Sequence, residues 1–370
     1  MRVRVIVRRL TDYGGAEFIA LRFARFLHCQ GLLEEVVCGR CDVKVPFRVR
    51  ELGYWRGGRF LKTYSFQKRV RDYLSGSSRA INFAFSKVPG CEVYVNGGGT
   101  HTGFLRSSIK AYPFPRRFFK ALSRSLNPVN YYNPVLERQI VATAGRIIAV
   151  SRQVKEELLA VFKDLPLEGK IAVVPNPVSS ERFNPGRREE LRLKAREFVG
   201  ALEGDFVVGF ASSNFWLKGL HLLIEALKFL PESVKLVVAG GRNPEEFLKL
   251  ARRFGVRGRV LFLGKVSQME LFYSGIDLLV HPSYYDTFAN VVAEALSMGV
   301  PVICSKNTGA REFIEEGVNG FVLKTFSPQE IAEKIKICSG REWSFRLRLP
   351  SDREVFQRYL EIGEQSLSRG

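Results

Sequence analysis

A lysine beside a glycine, and two carboxylates carried by one strand-loop-helix segment, are the residues here that can do chemistry on a phosphorylated ligand. In Ser212-Ser213-Asn214-Phe215-Trp216-Leu217-Lys218-Gly219, Lys218 opens a helical run. Its ammonium and the helix N-terminus can address one phosphate, or it is a solvated surface lysine. The carboxylates lie in Leu278-Leu279-Val280-His281-Pro282-Ser283-Tyr284-Tyr285-Asp286-Thr287-Phe288-Ala289-Asn290-Val291-Val292-Ala293-Glu294. An apolar strand there ends at a loop holding Asp286, and Thr287 is placed to cap the helix that carries Glu294. Asn290 and Glu294 share a face at i,i+4 spacing, and apolar Val291, Ala295 and Met298 argue against a purely solvated Glu294.

Two glycine-rich loops follow the same pattern. Tyr13-Gly14-Gly15-Ala16-Glu17 comes after the first strand and opens a helix, so it can present amides to an anion or form a plain tight turn. Asn96-Gly97-Gly98-Gly99-Thr100-His101-Thr102-Gly103 allows close backbone approach or a hinge, and His101 at the strand exit is either a substrate contact or a structural histidine. Asn307-Thr308-Gly309-Ala310-Arg311-Glu312 ends a later strand.

The elements that must carry these loops are short apolar runs alternating with helical spacing, which is the pattern of an α/β protein with parallel sheets. Strands are predicted over 4–7, 92–96, 146–150, 206–210, 235–239, 260–263, 278–281 and 302–305, and helices over 16–27, 220–230, 244–254, 269–274 and 291–298. Ser151 is a predicted N-cap. The proline-rich stretch from Val173-Val174-Pro175-Asn176-Pro177-Val178 to Phe183-Asn184-Pro185-Gly186 divides two units of similar size. Ligands of open parallel sheets bind beyond the carboxyl ends of strands, so loaded loops in two units predict a cleft between them.

Composition is that of an ordinary globular chain, with 46% hydrophobic and 25% charged residues. No run approaches the roughly 18 apolar residues of a spanning helix, and Met1–Val7 is too short and charged for a signal peptide. The six cysteines are scattered as in a reducing compartment. The lone Cys38-Gly39-Arg40-Cys41 fits a zinc site or redox pair less well than incidental buried thiols. Charge is the anomaly: 57 Lys and Arg against 37 Asp and Glu leave +20. Residues 1–170 hold 30 basic and 13 acidic residues, a net of +17, so an anionic partner of that half is expected rather than a balanced thermophile-like surface.

The chain resembles retaining glycosyltransferases of family four with the GT-B fold, of the lipopolysaccharide core glucosyltransferase I type, nearly end to end. The resemblance is carried by Gly14-Gly15-Ala16-Glu17, Gly97-Gly98-Gly99-Thr100-His101, Ile148-Ala149-Val150-Ser151, Ser213-Asn214-Phe215 with Lys218-Gly219, Asp286-Thr287-Phe288-Ala289-Asn290-Val291 through Glu294-Ala295-Leu296, Gly299-Val300-Pro301-Val302-Ile303, and Gly309-Ala310 with Glu312. It implies two Rossmann-like α/β domains facing across a deep cleft. Residues 1–175 would form the acceptor side and 176–345 the nucleotide-sugar side, with 346–370 a C-terminal helix crossing back. It implies a catalytic set of Lys218, Asp286, Glu294 and His101. Glu294 would accept hydrogen bonds from the donor ribose, and Asp286, where Glu is commoner, would contact hydroxyls of the transferred sugar. Lys218 would neutralise the departing diphosphate, without the arginine that usually accompanies it, and His101 would sit near the sugar. Donor-binding positions would be Gly14, Gly15, Ser213, Asn214, Phe288, Ala289, Asn290 and Val291, the last four through helix N-terminal amides.

The implied reaction is retaining, front-face transfer of a hexosyl group from a UDP-linked or GDP-linked sugar, with no cofactor. The sequence contains no Asp-x-Asp, in keeping with metal independence. The basic, aromatic run Tyr112-Pro113-Phe114-Pro115-Arg116-Arg117-Phe118-Phe119-Lys120-Ala121-Leu122-Ser123-Arg124 suits an anionic lipid interface or, more blandly, a docking helix with a solvated basic face. Arg56, Arg59, Lys62, Lys68, Arg69 and Arg71 add to the same half. The expected partners are the donor, an anionic glycolipid or saccharide acceptor, and the inner face of the cell membrane, approached from the cytoplasm. A soluble acceptor, as in disaccharide synthases, and sugar-nucleotide epimerisation on a related fold are the enzymatic alternatives. A non-enzymatic nucleic-acid binder would also explain the charge, but no recognised binding motif or continuous basic helix accompanies it.

Overall fold

The apolar runs build two parallel sheets in a computed structural model that describes residues 1–76, 80–241 and 243–367. Among the described residues the first sheet comprises β1 (Val3–Leu10), β2 (Leu33–Cys41), β3 (Val49–Glu51), β4 (Ile81–Ala84), β5 (Val93–Asn96), β6 (Arg146–Ala149) and β7 (Ile171–Val173), in the order β3-β2-β1-β4-β5-β6-β7. The second comprises β8 (Phe206–Ala211), β9 (Val234–Ala239), β10 (Val260–Gly264), β11 (Leu278–His281), β12 (Val302–Ser305) and β13 (Gly320–Leu323), in the order β10-β9-β8-β11-β12-β13. Every neighbouring pair is parallel. Strand order reverses between β1 and β4 in one sheet and between β8 and β11 in the other, and such reversals are where open α/β sheets bind ligands.

One unit consists of residues 1–106 and 115–177 and the chain from Pro350 onward; the other consists of residues 107–114 and 178–349. The final helix, Asp352–Leu367, buries Val355, Phe356, Tyr359 and Ile362 in the core of the first unit, where Phe23 lies 5.3 Å from the Phe356 ring and 5.4 Å from Tyr359. Arg22 Nε donates to Asp352 Oδ2 at 3.1 Å and fixes the start of that helix. In the second unit, Ala111 enters the core and Tyr112 stacks on Trp216 with ring centroids 6.2 Å apart.

Parallel strands are covered on both faces, so a polar residue at either face needs a partner. Arg4 shows it: the side chain is buried in β1, donates from Nε to Glu35 at 2.9 Å and from Nη1 to Asn82 at 3.0 Å, and Tyr73 donates to the same Glu35 oxygen at 2.6 Å. Strand β2, for which the sequence reading had no element, contains the Cys38-Gly39-Arg40-Cys41 motif. Residues three apart on a strand face opposite sides, and the two thiols part accordingly. Cys38 is buried in the core, where burial pushes its thiol up to about 12, while Cys41 Sγ donates to the Val43 carbonyl. Ser151 caps the helix Arg152–Val161 by accepting from the Val154 amide at 3.3 Å, as its position predicts.

Candidate active site

The second sheet brings the lysine and the first carboxylate together. Lys218 follows β8 and Asp286 follows β11, the two strands that flank the reversal in strand order. Lys218 Nζ lies 2.6 Å from Asp286 Oδ2 and donates to the Tyr285 carbonyl at 2.9 Å. The approach depends on Gly219. A side chain there would collide with the Pro282 carbonyl oxygen, and the backbone adopts a φ of +79°. The turn before it is closed by Asn214, whose carbonyl accepts from the Lys218 amide at 3.0 Å and whose Oδ1 accepts from the Leu217 amide at 3.3 Å. Ser213 and Asn214 are exposed at the loop surface, whereas Phe215 is anchored in the core beside Phe210 and Phe247.

A third group, absent from the sequence reading, completes this cluster. His281, the last residue of β11, is buried and donates from Nε2 to Asp286 Oδ2 at 3.0 Å. Burial lowers its pKa, partly opposed by Asp286, so the ring is neutral. Burial alone would push the Asp286 carboxyl up. The charge of Lys218 and the hydrogen bond from His281 more than reverse this and hold the carboxyl well below the usual range. Asp286 is therefore an anion across the physiological range. The loop after β12 clasps its backbone, with the Asp286 amide donating to the Asn307 carbonyl at 3.0 Å and the Gly309 amide to the Asp286 carbonyl at 2.9 Å.

The helix after Asp286 starts later than the capping motif suggests. It runs Asn290–Ser297, with Ala289 and not Thr287 at the N-cap and no side-chain cap. Ala289 has φ +69° and ψ +77°, the one positive φ at a non-glycine residue among the described residues. Strain of this kind costs an L-residue roughly 1–2 kcal/mol and concentrates at functional sites. Phe288 is buried against Phe313, so its side chain packs and its amide faces Asp286 Oδ1 at 3.4 Å. The helix begins at Asn290, so its first turn holds Asn290 and Val291, at the end of a helix whose dipole favours an anion. Ala289→Gly is expected to raise the stability of the second unit by about 1 kcal/mol, read as a higher denaturant midpoint at constant slope. Ala289→Val should lower it.

Glu294 lies farther along this helix, half-buried, and accepts a hydrogen bond from Tyr273 Oη at 2.7 Å. Burial, with Glu294 beside it, raises the Tyr273 pKa well above its ordinary value, so Tyr273 stays protonated and donates to Glu294. Nothing in the sequence separates Tyr273, on the helix Met269–Gly275, from an ordinary core aromatic.

The remaining positions belong to the first unit. Gly14 and Gly15 are exposed at the end of β1, and Gly15 caps the helix Ala16–Cys29. The β5 loop reaches this turn, since a side chain at Gly97 would meet Ala16 Cβ at 3.1 Å. The amides beyond it are already taken. Thr100 donates from its amide and hydroxyl to Glu157 Oε1 at 2.5 and 2.7 Å, and the His101 amide donates to Glu137 at 2.8 Å. Two carboxylates thus occupy the start of the helix His101–Ser108, and this loop is unsuited to a phosphate. The His101 ring is half-buried, and its Nε2 lies 2.8 Å from Asn130 Oδ1.

Known proteins resemble the chain in sequence and fold. Residues 192–341 match the family model described as Glycosyl transferases group 1. A glycosyltransferase of Methanocaldococcus jannaschii, itself uncharacterised, is 30% identical over 222 residues, covering 58% of this chain and 56% of that protein. A D-inositol 3-phosphate glycosyltransferase of Xylanimonas cellulosilytica is 33% identical over 202 residues, covering 52% and 48%. The chain thus spans about half the length of the curated relatives it matches. Among solved structures, WaaG, a glycosyltransferase involved in lipopolysaccharide biosynthesis, superposes with a TM-score of 0.76 at 20% identity over 98% of this chain and 94% of that one. Anabaena HepE in complex with UDP-glucose gives 0.69 at 20% identity over 100% and 99%. The fold is GT-B.

Proposed function

We propose that this GT-B chain, whose residues 192–341 fall in the group 1 glycosyl transferases, moves a hexosyl group from a nucleotide sugar to an anionic glycolipid or lipopolysaccharide-core-type acceptor. The observation that carries the reading is the Lys218–Asp286–His281 cluster at the strand-order reversal of the second sheet. An ammonium and an ionised carboxylate there provide one group for a departing diphosphate and one for sugar hydroxyls. Lys218 shifts part of its charge from Asp286 to the diphosphate as the glycosidic bond lengthens. The amides at Ala289, Asn290 and Val291 assist it, and Glu294 binds the donor ribose. Catalysis is then electrostatic preorganisation around charge that develops on the leaving group. Transfer is front-face, with retention, through an oxocarbenium-like transition state, and needs no metal.

A UDP-linked or GDP-linked donor is supported by the UDP-glucose bound in HepE. The lipopolysaccharide role of WaaG supports the acceptor class, while the inositol phosphate in the name of the Xylanimonas relative supports its anionic character alone and fits a soluble acceptor equally. In this reading the enzyme works at the inner face of the cell membrane, docked through the helix Arg116–Ser125. That helix has no buried residue, and its aromatic side chains are exposed along with its cations: Phe118 is 59% exposed and Phe119 63%. A helix docking on its own protein would bury that face.

A thermal-stability screen of nucleotide sugars tests the proposal. One donor at about 100 times its dissociation constant is expected to add roughly 2.7 kcal/mol of stability, and Glu294→Ala should abolish most of that gain. No stabilisation by any donor, or an equal gain in the variant, overturns the site. Tight, salt-sensitive binding of duplex DNA without nucleotide-sugar binding would favour the nucleic-acid alternative.

A further inference from the structure

His101 has both ring nitrogens engaged by one helix. Asn130 and Asn133, three residues apart on the helix Val129–Thr143, present their amides to Nε2 and Nδ1 at 2.8 and 3.4 Å. The orientation of Asn130 is set independently of the histidine, because its Nδ2 donates to the Arg124 carbonyl at 2.7 Å. That leaves Oδ1 toward the ring, and an oxygen at 2.8 Å requires a proton on Nε2. Nδ1 then carries the lone pair and faces the Asn133 amide nitrogen. The 3.4 Å contact is long for a hydrogen bond, so this is the side that a ligand hydroxyl can displace.

We infer that Asn130 is a positioning residue for His101: it holds the imidazole in the Nε2–H form and ties the ring to the last turn of the helix Arg116–Ser125. The inference deepens the proposed function, since it rests on His101 meeting the transferred sugar. With Nε2 committed, His101 offers a sugar hydroxyl an acceptor at Nδ1. Arg124, whose carbonyl anchors the relay, is itself held: its Nη1 donates to the Leu105 carbonyl at 3.1 Å and its guanidinium lies 5.7 Å from the Phe104 ring. The relay therefore spans carbonyl, amide and imidazole with each orientation dictated by the previous one. Burial lowers the His101 pKa, Asn130 and Glu137 oppose this, and Lys87 and Arg124 add to it, so the neutral ring is the relevant species.

The test is nitrogen NMR of the full chain with labelled histidine side chains. Four histidines give few signals, and His101→Gln identifies the one concerned. The Nε2–H form is expected in the unsubstituted protein. Asn130→Ala should lower the ratio of Nε2–H to Nδ1–H forms about fivefold, the worth of one hydrogen bond. Asn130→Asp, which keeps the acceptor, should restore the Nε2–H form and raise the pH at which the ring takes its second proton. An Nδ1–H ring in the unsubstituted protein, or unchanged His101 signals in Asn130→Ala, overturns the inference. Failure of the sugar-contact reading looks different: His101→Gln would leave donor turnover intact while the tautomer results stood.

Discussion

Lys218→Ala is expected to lower donor turnover by roughly 10²- to 10³-fold, the usual consequence of removing one preorganised group that meets developing charge. It should also destabilise the second unit by about 3 kcal/mol, because breaking a mostly buried ion pair strands the remaining charge. The stranded group is Asp286, whose side chain is only 16% exposed, and His281 remains as its hydrogen-bond donor. Without the lysine the burial penalty on the carboxylate is no longer outweighed to the same degree, and its pKa rises. Lys218→Met combined with Asp286→Asn separates the two effects. Neutralising both partners should recover most of the stability and none of the turnover. The measurements are urea denaturation and release of nucleoside diphosphate from the donor found in the thermal screen. Full turnover in Lys218→Ala would remove the lysine from the leaving-group role. Recovery of turnover in the double variant would make the pair a structural strut.

The fold was legible because parallel sheets write themselves as apolar runs. The runs at 278–281 and 302–305 coincide with β11 and β12 to the residue, and the loaded loops after β8 and β11 fall at the reversal in strand order. Strands with mixed composition were not legible. Arg40 and two glutamates dilute the pattern of β2, and the apolar context that would reveal it comes from neighbouring strands. In the site, residues next to the motif in sequence could be read and those brought in by folding could not. Lys218 is legible from the glycine beside it and Asp286 from its place at the end of an apolar strand. Tyr273, Glu137 and Glu157 reach Glu294, His101 and Thr100 from separate helices. His281 is the exception, since a histidine ending an apolar strand five residues before the carboxylate was a usable signal. The helix start failed for a local reason: the strained backbone at Ala289 replaces the side-chain cap that Thr287 was positioned to give.

Replacing Phe118 and Phe119 together by serine is expected to weaken binding to anionic vesicles by about 10²-fold or more, since each phenyl ring withdrawn from an apolar phase forfeits roughly 1.5–3 kcal/mol. The side chains divide the helix into two sides. At about 100° per residue, Phe118, Phe119, Leu122 and Leu126 occupy one side of the helix turn, and Arg116, Arg117, Lys120 and Arg124 the other. Phe118, Phe119, Leu122 and Leu126 are between 49% and 76% exposed, and Phe114 just before the helix is 83% exposed. Arg124 on the opposite side is held to the first unit through the Leu105 carbonyl. Arg116, Arg117 and Lys120 are exposed as well, so the apolar and the basic side both reach solvent; the apolar side costs free energy in water and recovers it in a bilayer interface. Cations flanking that side each add about 1 kcal/mol near an anionic surface and lose it with salt. Two independent slopes follow. In the unsubstituted protein, binding should fall as salt rises and as anionic lipid is diluted by neutral lipid. In Phe118→Ser/Phe119→Ser the salt dependence should persist while overall affinity drops. Replacing Arg116, Arg117 and Lys120 by glutamine should flatten the salt dependence instead. Equal binding to neutral and anionic vesicles, or no loss on removing the two rings, would return this helix to a solvated surface element and leave the +17 of residues 1–170 to an anionic acceptor alone.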